Sequence, residues 1–437
     1  MLTVRFRKDA YITIENTPNS GRFYIITEGE AQVFKNYGFV RYRKNSILGP
    51  GDSFASVACL SRHREIETVK AKTDLKVVVV DRSQFAELAQ TNTKIAMKII
   101  MQFVSNIKML NATLSNISLL GSGKHEISYD DPAPRLYRVG EFYQSKSMFN
   151  QAYYAYLRCT QNYVDSPFSV TAKEEMEKIK SHVTQEKFDY PKEEFKRIYP
   201  KNAMLFAESE LGKVLFFIVK GKVKVTRIED DREITLSIVN AGDICGMLSM
   251  FEGQPHTTNA MSLEECETLA VGPMGFETVT KTQPQFLFKI SSILAEQIWF
   301  LHKQIVNRSL FDPLVRLYDI LAVMLEKEGA PAGESYEFHF GLSDLVEMAG
   351  YTLQSCDETV KRLLSEDMVK LAEDGKIHVV SSLELVRKNE ANWKQPVFFP
   401  STKKPPISPA GASLGGGMKG MGGGFPTGKE GPGLRDQ

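Results

Sequence analysis

Three hydroxyl side chains, Ser249, Thr257 and Thr258, fall close together and are suited to donating to a phosphate. A second group, Gln354, Ser355, Lys361 and Arg362, sets hydrogen-bonding and cationic side chains along one expected helix, the residue types that contact nucleic acid. The remaining chemistry-bearing residues rule more out than in. His63, His302 and His339 stand alone and read as packing or surface residues. The cysteines Cys59, Cys159, Cys245, Cys266 and Cys356 occur singly, with no Cys-x-x-Cys or Cys/His spacing that would hold a metal, and read as structural thiols. No Ser/His/Asp set or paired carboxylates share a loop, so the expectation is a protein that is not an enzyme.

The elements that must position these groups occur in a unit repeated within the chain. Phe23-Tyr-Ile-Ile-Thr-Glu-Gly29 is echoed by Phe216-Phe-Ile-Val-Lys-Gly221, Gly51-Asp52 by Gly242-Asp243, and Phe85 by Phe276. The offset is 192 at the first glycine pair and 191 thereafter. Each copy reads as short β-branched and aromatic strands with closely spaced turn signals, which predicts a small all-β barrel or sandwich closed by a helix; the fold class taken with it is a β-barrel of jelly-roll or cupin type.

Over 93–118, Ala96, Ile100, Phe103, Ile107, Leu110, Leu114 and Ile117 recur at spacings of 4, 3, 4, 3, 4 and 3. Over about 284–307, Leu287, Ser291, Leu294, Ile298, Leu301 and Ile305 repeat that coiled-coil seam. Two seams predict pairing, within the chain as a pseudo-dimer or between chains as a homodimer; the other reading packs each stripe on its own barrel. Between the repeats, a loop from Gly121 to Pro134 leads to a helical stretch from Arg135 to about Glu186. Tyr143, Met148, Ala152, Tyr154, Tyr156 and a break at Tyr163-Val-Asp-Ser-Pro167 predict one tetratricopeptide-like hairpin there, docked on a neighbour because one hairpin cannot bury both its faces.

After Asp312-Pro313 the pattern is a helix over 314–328, a strand over 336–340, a helix over 343–348, a turn at Gly350, a helix over 352–364 and a hairpin turning at Asp374-Gly375. That order is a winged helix-turn-helix. The fold class is therefore α+β and multidomain: a first barrel with its helix (1–118), a helical connector (119–190), a second barrel with its helix (191–309), a winged helix (310–395) and a tail (396–437). The last 27 residues hold 11 of the 31 glycines, and the tail is expected to be disordered.

The 437 residues suffice for three or four domains, each with its own core. No apolar run reaches the ~18–20 residues of a membrane span, and Met1 to Lys8 alternates apolar and basic residues where a signal peptide would have an apolar core, so the expectation is cytoplasmic with no membrane partner. The net charge of +1 conceals an asymmetry. Residues 1–118 hold 17 Lys+Arg against 10 Asp+Glu, a balance of +7, whereas 310–395 hold 9 against 16, a balance of −7. Modules that bind nucleic acid ordinarily carry the opposite sign, because neutralising phosphates supplies much of their affinity.

Gly242-Asp243 ahead of Gly246, with Leu342-Ser-Asp-Leu-Val-Glu-Met-Ala-Gly350 and Glu358-Thr-Val-Lys-Arg-Leu-Leu364 following, resembles the catabolite-activator (Crp/Fnr) superfamily over residues 195–390; residues 1–118 resemble a second barrel of the same kind. The resemblance implies a bacterial transcription regulator that senses an effector, with no cofactor required. In the family's ligand cassette a short helix beginning at Gly offers N–H groups to the cyclic phosphate. The next residue is a Glu that accepts from the ribose 2′-hydroxyl, and about ten positions on an Arg pairs with the phosphate. Carried onto this chain, the candidate ligand residues are Gly246, Met247, Leu248, Ser249, His256, Thr257 and Thr258, with Met247 standing where the Glu belongs and His256 where the Arg belongs.

In the first barrel Ala55 and Ser56 replace Gly-Glu, and Arg64 aligns with the Arg position only across a gap. Cyclic AMP is expected to bind weakly or not at all: the second barrel is open to holding no small ligand, another anionic, nucleotide-like effector, or a cyclic nucleotide, and the first barrel is read as structural. In the output helix Gln354, Ser355, Lys361 and Arg362 are the candidate DNA contacts. Asp357 and Glu358 suit the helix dipole there but oppose phosphates. Two functions stay open: a regulator that reads DNA, and a regulatory scaffold whose acidic winged helix docks a protein partner.

Overall fold

A computed structural model describes residues 2–35, 46–119, 131–191, 194–229, 231–283 and 285–393. The Gly-rich tail and most of the loop from Gly121 to Pro134 lie outside the described residues. The first module runs β1 (Leu2–Phe6), β2 (Tyr11–Thr13), β3 (Arg22–Glu28), β4 (Ala31–Phe34), β5 (Ser46–Leu48), β6 (Ser53–Phe54), α1 (Ser56–Ser61), β7 (Thr68–Ala71), β8 (Leu75–Asp81), α2 (Phe85–Thr91) and α3 (Thr93–Leu119). The connector is α4 (Pro132–Ser145), α5 (Phe149–Asn162) and α6 (Pro167–Ile179).

The second module runs β9 (Lys196–Tyr199), β10 (Met204–Phe206), β11 (Leu215–Lys220), β12 (Val223–Glu229), β13 (Arg232–Val239), β14 (Ile244–Cys245), α7 (Met247–Glu252), β15 (Asn259–Ser262), β16 (Cys266–Val271), α8 (Pro273–Thr282) and α9 (Gln285–Arg308). Then follow α10 (Pro313–Lys327), β17 (Tyr336–Gly341), α11 (Leu342–Met348), α12 (Asp357–Ser365), β18 (Val369–Leu371), β19 (Lys376–Val379) and α13 (Ser382–Trp393).

The repeat holds strand for strand. The sheets β1-β8-β3-β6 and β2-β7-β4-β5 of the first module correspond in order to β9-β16-β11-β14 and β10-β15-β12-β13 of the second. Pairings correspond too: Tyr24 and Ile25 face Phe54 and Ser53, as Phe216 and Phe217 face Cys245 and Ile244. Both central strands shift register just before a glycine, between Ile26 and Glu28 and between Ile218 and Lys220. Those glycines are required. Gly29 and Gly221 sit at φ +86° and +87°, and a Cβ there would lie 2.1 Å from the Asp74 carbonyl oxygen and 2.6 Å from the Glu265 carbonyl oxygen. Of the two expected forms the structure has the sandwich, and the barrels are not closed: among the described residues each module is a pair of four-stranded sheets with no ladder joining them.

The seams pair within the chain. α3 packs along α9, burying Ala96, Ile100, Phe103, Leu110 and Leu114 against Leu287, Leu294, Ile298, Leu301 and Ile305. Each large apolar side chain so removed from water contributes roughly 1.5–3 kcal/mol, so this interface binds the two modules to each other. The one polar seam position, Ser291, is fully buried.

The connector has three helices where a hairpin was expected. The sequence that ends α5 also starts α6, with Ser166 accepting the Phe168 N–H as a cap and Pro167 at the first helical position. It docks on the second module: Gln151 donates to the Asn202 carbonyl (2.7 Å), Tyr154 to the Leu205 carbonyl (3.0 Å) and buried Tyr143 to Glu233 (2.8 Å). In the C-terminal part, β17-β19-β18 form an antiparallel sheet beside α10–α13. The helix expected from 352 begins at Asp357, because the Ser355 hydroxyl bonds back to Thr352 and holds a 3-10 turn over Gln354–Cys356. α11 is latched to the second module by Glu347, which accepts from Lys224 (2.9 Å) and Thr235 (2.8 Å).

Candidate functional site

In the second module β14 delivers the chain into Gly246 at φ +77°, and α7 starts at the next residue. This is the turn geometry the cassette requires. Met247, where a carboxylate would be needed, is buried at 4% exposure. Ser249 donates to the Gly246 carbonyl at 3.0 Å and sits 3.0 Å from His256 Nδ1. Its hydroxyl is thus engaged behind His256 and is not among the cavity groups.

The His256 ring lies flat on Phe206, with centroids 3.9 Å apart and planes 10° apart. Burial with no acidic partner pushes its pKa down to about 3, so the ring is neutral where the family carries a cation. Its backbone is fixed as well, the N–H donating to the Glu210 carbonyl (2.8 Å) and the carbonyl accepting from the Ser209 N–H (2.7 Å).

Gly246, Met247, His256, Thr257 and Thr258 line one cavity of about 100 Å³. Leu248 lies in α7 beside them. The rest of the lining comes from elsewhere in the fold: Val104 and Ile107 from α3 of the first module, Leu294 and Leu301 from α9, and Lys327 from α10. The paired seams signalled that α3 would approach this site. Lys327, whose ammonium lies 4.4 Å from the centre of the Phe300 ring, had no signal in the sequence.

The corresponding loop of the first module differs at every chemical position. Ala55 takes the left-handed conformation at φ +60° where the other copy has Gly, a strain of order 1 kcal/mol. The residue in register with His256 is Glu65, at the repeat's offset of 191, so no Arg stands in register there. Glu65 exchanges backbone hydrogen bonds with Asn16 and Thr17 as His256 does with Ser209 and Glu210, and Asn16 and Ser209 share a left-handed φ of +65° and +67°. Arg64 donates instead to the Asn16 carbonyl at 2.9 Å.

The Glu65 carboxyl is 4% exposed, accepts from Asn19 through one oxygen and leaves the other without a partner. Burial, reinforced by the nearby Glu67 charge, lifts its pKa to about 7. Two residues earlier, His63 leaves its own module and stacks on Trp299 of α9, with centroids 3.6 Å apart. Its Nε2 meets Glu296 at 2.9 Å and its Nδ1 meets Glu326 of α10 at 3.0 Å. Burial opposes its charge, but the hydrogen bonds and charges of the two carboxylates prevail and raise its pKa to about 9. Of the three histidines read as packing or surface, His302 is buried and His339 exposed, while His63 is an ion-paired clasp between modules.

The candidate nucleic-acid contacts Gln354, Ser355, Lys361 and Arg362 are all exposed on the 3-10 turn and α12. Ser355 is tied to Thr352 and Lys361 to Asp357, whereas Arg362 makes no ion pair with a described residue. Among the described residues no helix is long and apolar enough to cross a membrane.

The chain is similar to known proteins over both modules. The model of the cyclic nucleotide-binding domain matches twice, over residues 3–92 and 196–283. The cAMP-activated global transcriptional regulator CRP of Salmonella typhimurium is 25% identical over 185 residues, 42% of this chain and 87% of that protein. A CRP-like cAMP-activated global transcriptional regulator of Mycobacterium tuberculosis is 22% identical over 189 residues, covering 43% and 84%. Among solved structures, a CooA mutant from Carboxydothermus hydrogenoformans aligns with 44% of this chain and 87% of its own at a TM-score of 0.38 and 20% identity.

Proposed function

We propose, for a chain that belongs to the catabolite-activator (Crp/Fnr) superfamily and carries the cyclic nucleotide-binding domain twice, the role of an effector-sensing transcriptional regulator whose cyclic-nucleotide sites are degenerate. The division we propose is 1–118, 119–190, 191–309, 310–395 and 396–437, with the fourth segment a winged helix-turn-helix and α12 its reading helix. The observation that carries the reading is the convergence at one cavity of α3, α9, the second module's cassette and Lys327 of α10. A ligand there would touch both sensor helices and the output segment together, which is the arrangement a ligand-controlled output needs. Neither cassette retains the Glu for the ribose hydroxyl or the Arg for the cyclic phosphate, so cyclic AMP is not the effector favoured by this chemistry.

A second reading has its own support. Family members that read DNA as dimers bring two reading helices to neighbouring half-sites, but here two sensor modules share one output segment. That segment is acidic by 7 charges, and Asp357 draws Lys361 away from any phosphate. These features favour a surface that docks a basic protein partner. Anisotropy titration of the full chain with duplex DNA across a salt series separates the two. Tight, sequence-selective binding near physiological salt, lost in Arg362→Ala, supports DNA reading; weak binding without sequence preference supports docking.

A further inference from the structure

We infer that the cavity at the junction of the second module with the α3–α9 seam is a binding site for an uncharged molecule no larger than about one aromatic ring, a deeper assignment that rests on reading the second module as the effector module. Size is the first argument. The cavity holds about 100 Å³, whereas sites for nucleotide-sized ligands run to roughly 300–1,000 Å³. An apolar cavity of roughly 150 Å³ stays dry and takes up benzene, and this one is of that order.

Charge is the second argument. The cation the family aims at a phosphate is replaced by His256, which is neutral, buried and stacked on Phe206. Lys327 is the one cation in the lining, and two carboxylates, Asp243 and Glu296, line the same cavity. Burial raises the Asp243 pKa while the Lys327 charge pulls it down. An anion entering here would lose its hydration and face two carboxylates against one ammonium, which is unfavourable.

The lining chemistry is the third. Val104, Ile107, Leu294, Phe300, Leu301 and Met247 supply an apolar wall from three elements, and Thr257 and Thr258 also line the cavity. That composition fits a ring or short branched chain bearing at most one hydroxyl. It also makes the site a product of the duplication, because two of the six wall residues come from the first module's helix.

The full-length chain is titrated with phenol, with toluene and with cyclic AMP, followed by thermal melting and by the methyl NMR signal of Met247. Phenol and toluene are expected to raise the melting temperature saturably and to shift the Met247 methyl, and cyclic AMP to do neither. Ile107→Phe and Ser237→Phe, both at half-buried lining positions, are expected to abolish the phenol response while a cooperative melt is retained. A saturable response to cyclic AMP alone overturns the size and charge assignment and leaves the effector reading standing. Silence from all three overturns both. A phenol response unchanged in both filled variants overturns the location, and the Met247 signal of the parent chain decides the matter if either variant fails to fold.

Discussion

Glu65 and His256 occupy the same place in two copies of one fold, and neither can do what the family's arginine does there. In the first module the position carries a buried acid that would repel a phosphate, and the neighbouring His63 turns outward to clasp α9 and α10. In the second it carries a buried neutral base, and a cavity remains beside it. The first loop has become a structural joint, while the second keeps the shape of a ligand site without its charge. The same backbone frame thus supports opposite electrostatics, because the register is set by main-chain bonds that leave the side chain free to change.

The largest effect expected is on what the two modules share. Leu301→Glu places a charge in the α3–α9 seam, where Leu301 is 4% exposed, and should cost on the order of 3–5 kcal/mol or abolish the cooperative transition in chemical denaturation. A loss under about 1 kcal/mol would mean the modules are not joined by this seam. Next is the difference between the cassettes. Met247→Glu with His256→Arg restores two charge-assisted bonds of roughly 1.5–3 kcal/mol each and should give cyclic AMP a calorimetric signal that the parent lacks, held weak by the small cavity. Ser56→Glu with Glu65→Arg should not, because α1 packs on α9 and buries Ser56 through Leu60. Equal gains in both would erase the contrast between joint and site.

Acid–base behaviour sharpens the comparison further. Glu65 ordinarily titrates near 4.5 and does so near 7 in the fold. The folded state therefore holds the extra proton between those values, and stability falls as pH rises from about 4.5 to 7. Glu65→Gln should flatten that fall and stabilise the protein above pH 7, by on the order of 1–3 kcal/mol in urea melts. The two histidines act in directions opposite to each other. His63, raised from 6.5 to about 9 between Glu296 and Glu326, with Lys303 and Arg64 nearby, stabilises fully below 6.5 and loses that contribution as pH climbs through 9. His256, lowered from 6.5 to about 3, costs stability as pH falls through that interval. His63→Gln should remove the alkaline slope and His256→Gln the acidic one; a His256 variant that alters the alkaline limb instead would show the assignments reversed.

The repeat, the seams and the Gly-Asp turns were legible because each depends on local pattern: paired glycines at positive φ, heptad spacing and strand-length apolar runs. The partner of His256 follows from the offset of 191, which falls on Glu65; what the letters could not show is that the position is held by main-chain bonds to Asn16 and Thr17, some fifty residues earlier in the chain. The break at Ser166-Pro167 was visible as an end, and its second role as the cap of α6 was not, since the same residues serve both. His63 read as an isolated histidine for a related reason: its carboxylate partners are 233 and 263 residues away. Lys327 likewise reaches the cavity only through the docking of α10.

Joining α3 and α9 in one polypeptide changes the arithmetic of assembly. Two sensors on separate chains meet at whatever concentration the cell supplies, whereas tethered helices meet at an effective concentration set by the intervening chain, commonly in the millimolar range. Their pairing is then indifferent to dilution and to expression level. Tethering also lifts a symmetry constraint: in a two-fold homodimer every substitution appears on both sides of the interface, but here it appears once. That freedom is what allows one loop of a matched pair to carry Glu65 and the other His256, and it lets each half drift toward its own task without spoiling the other.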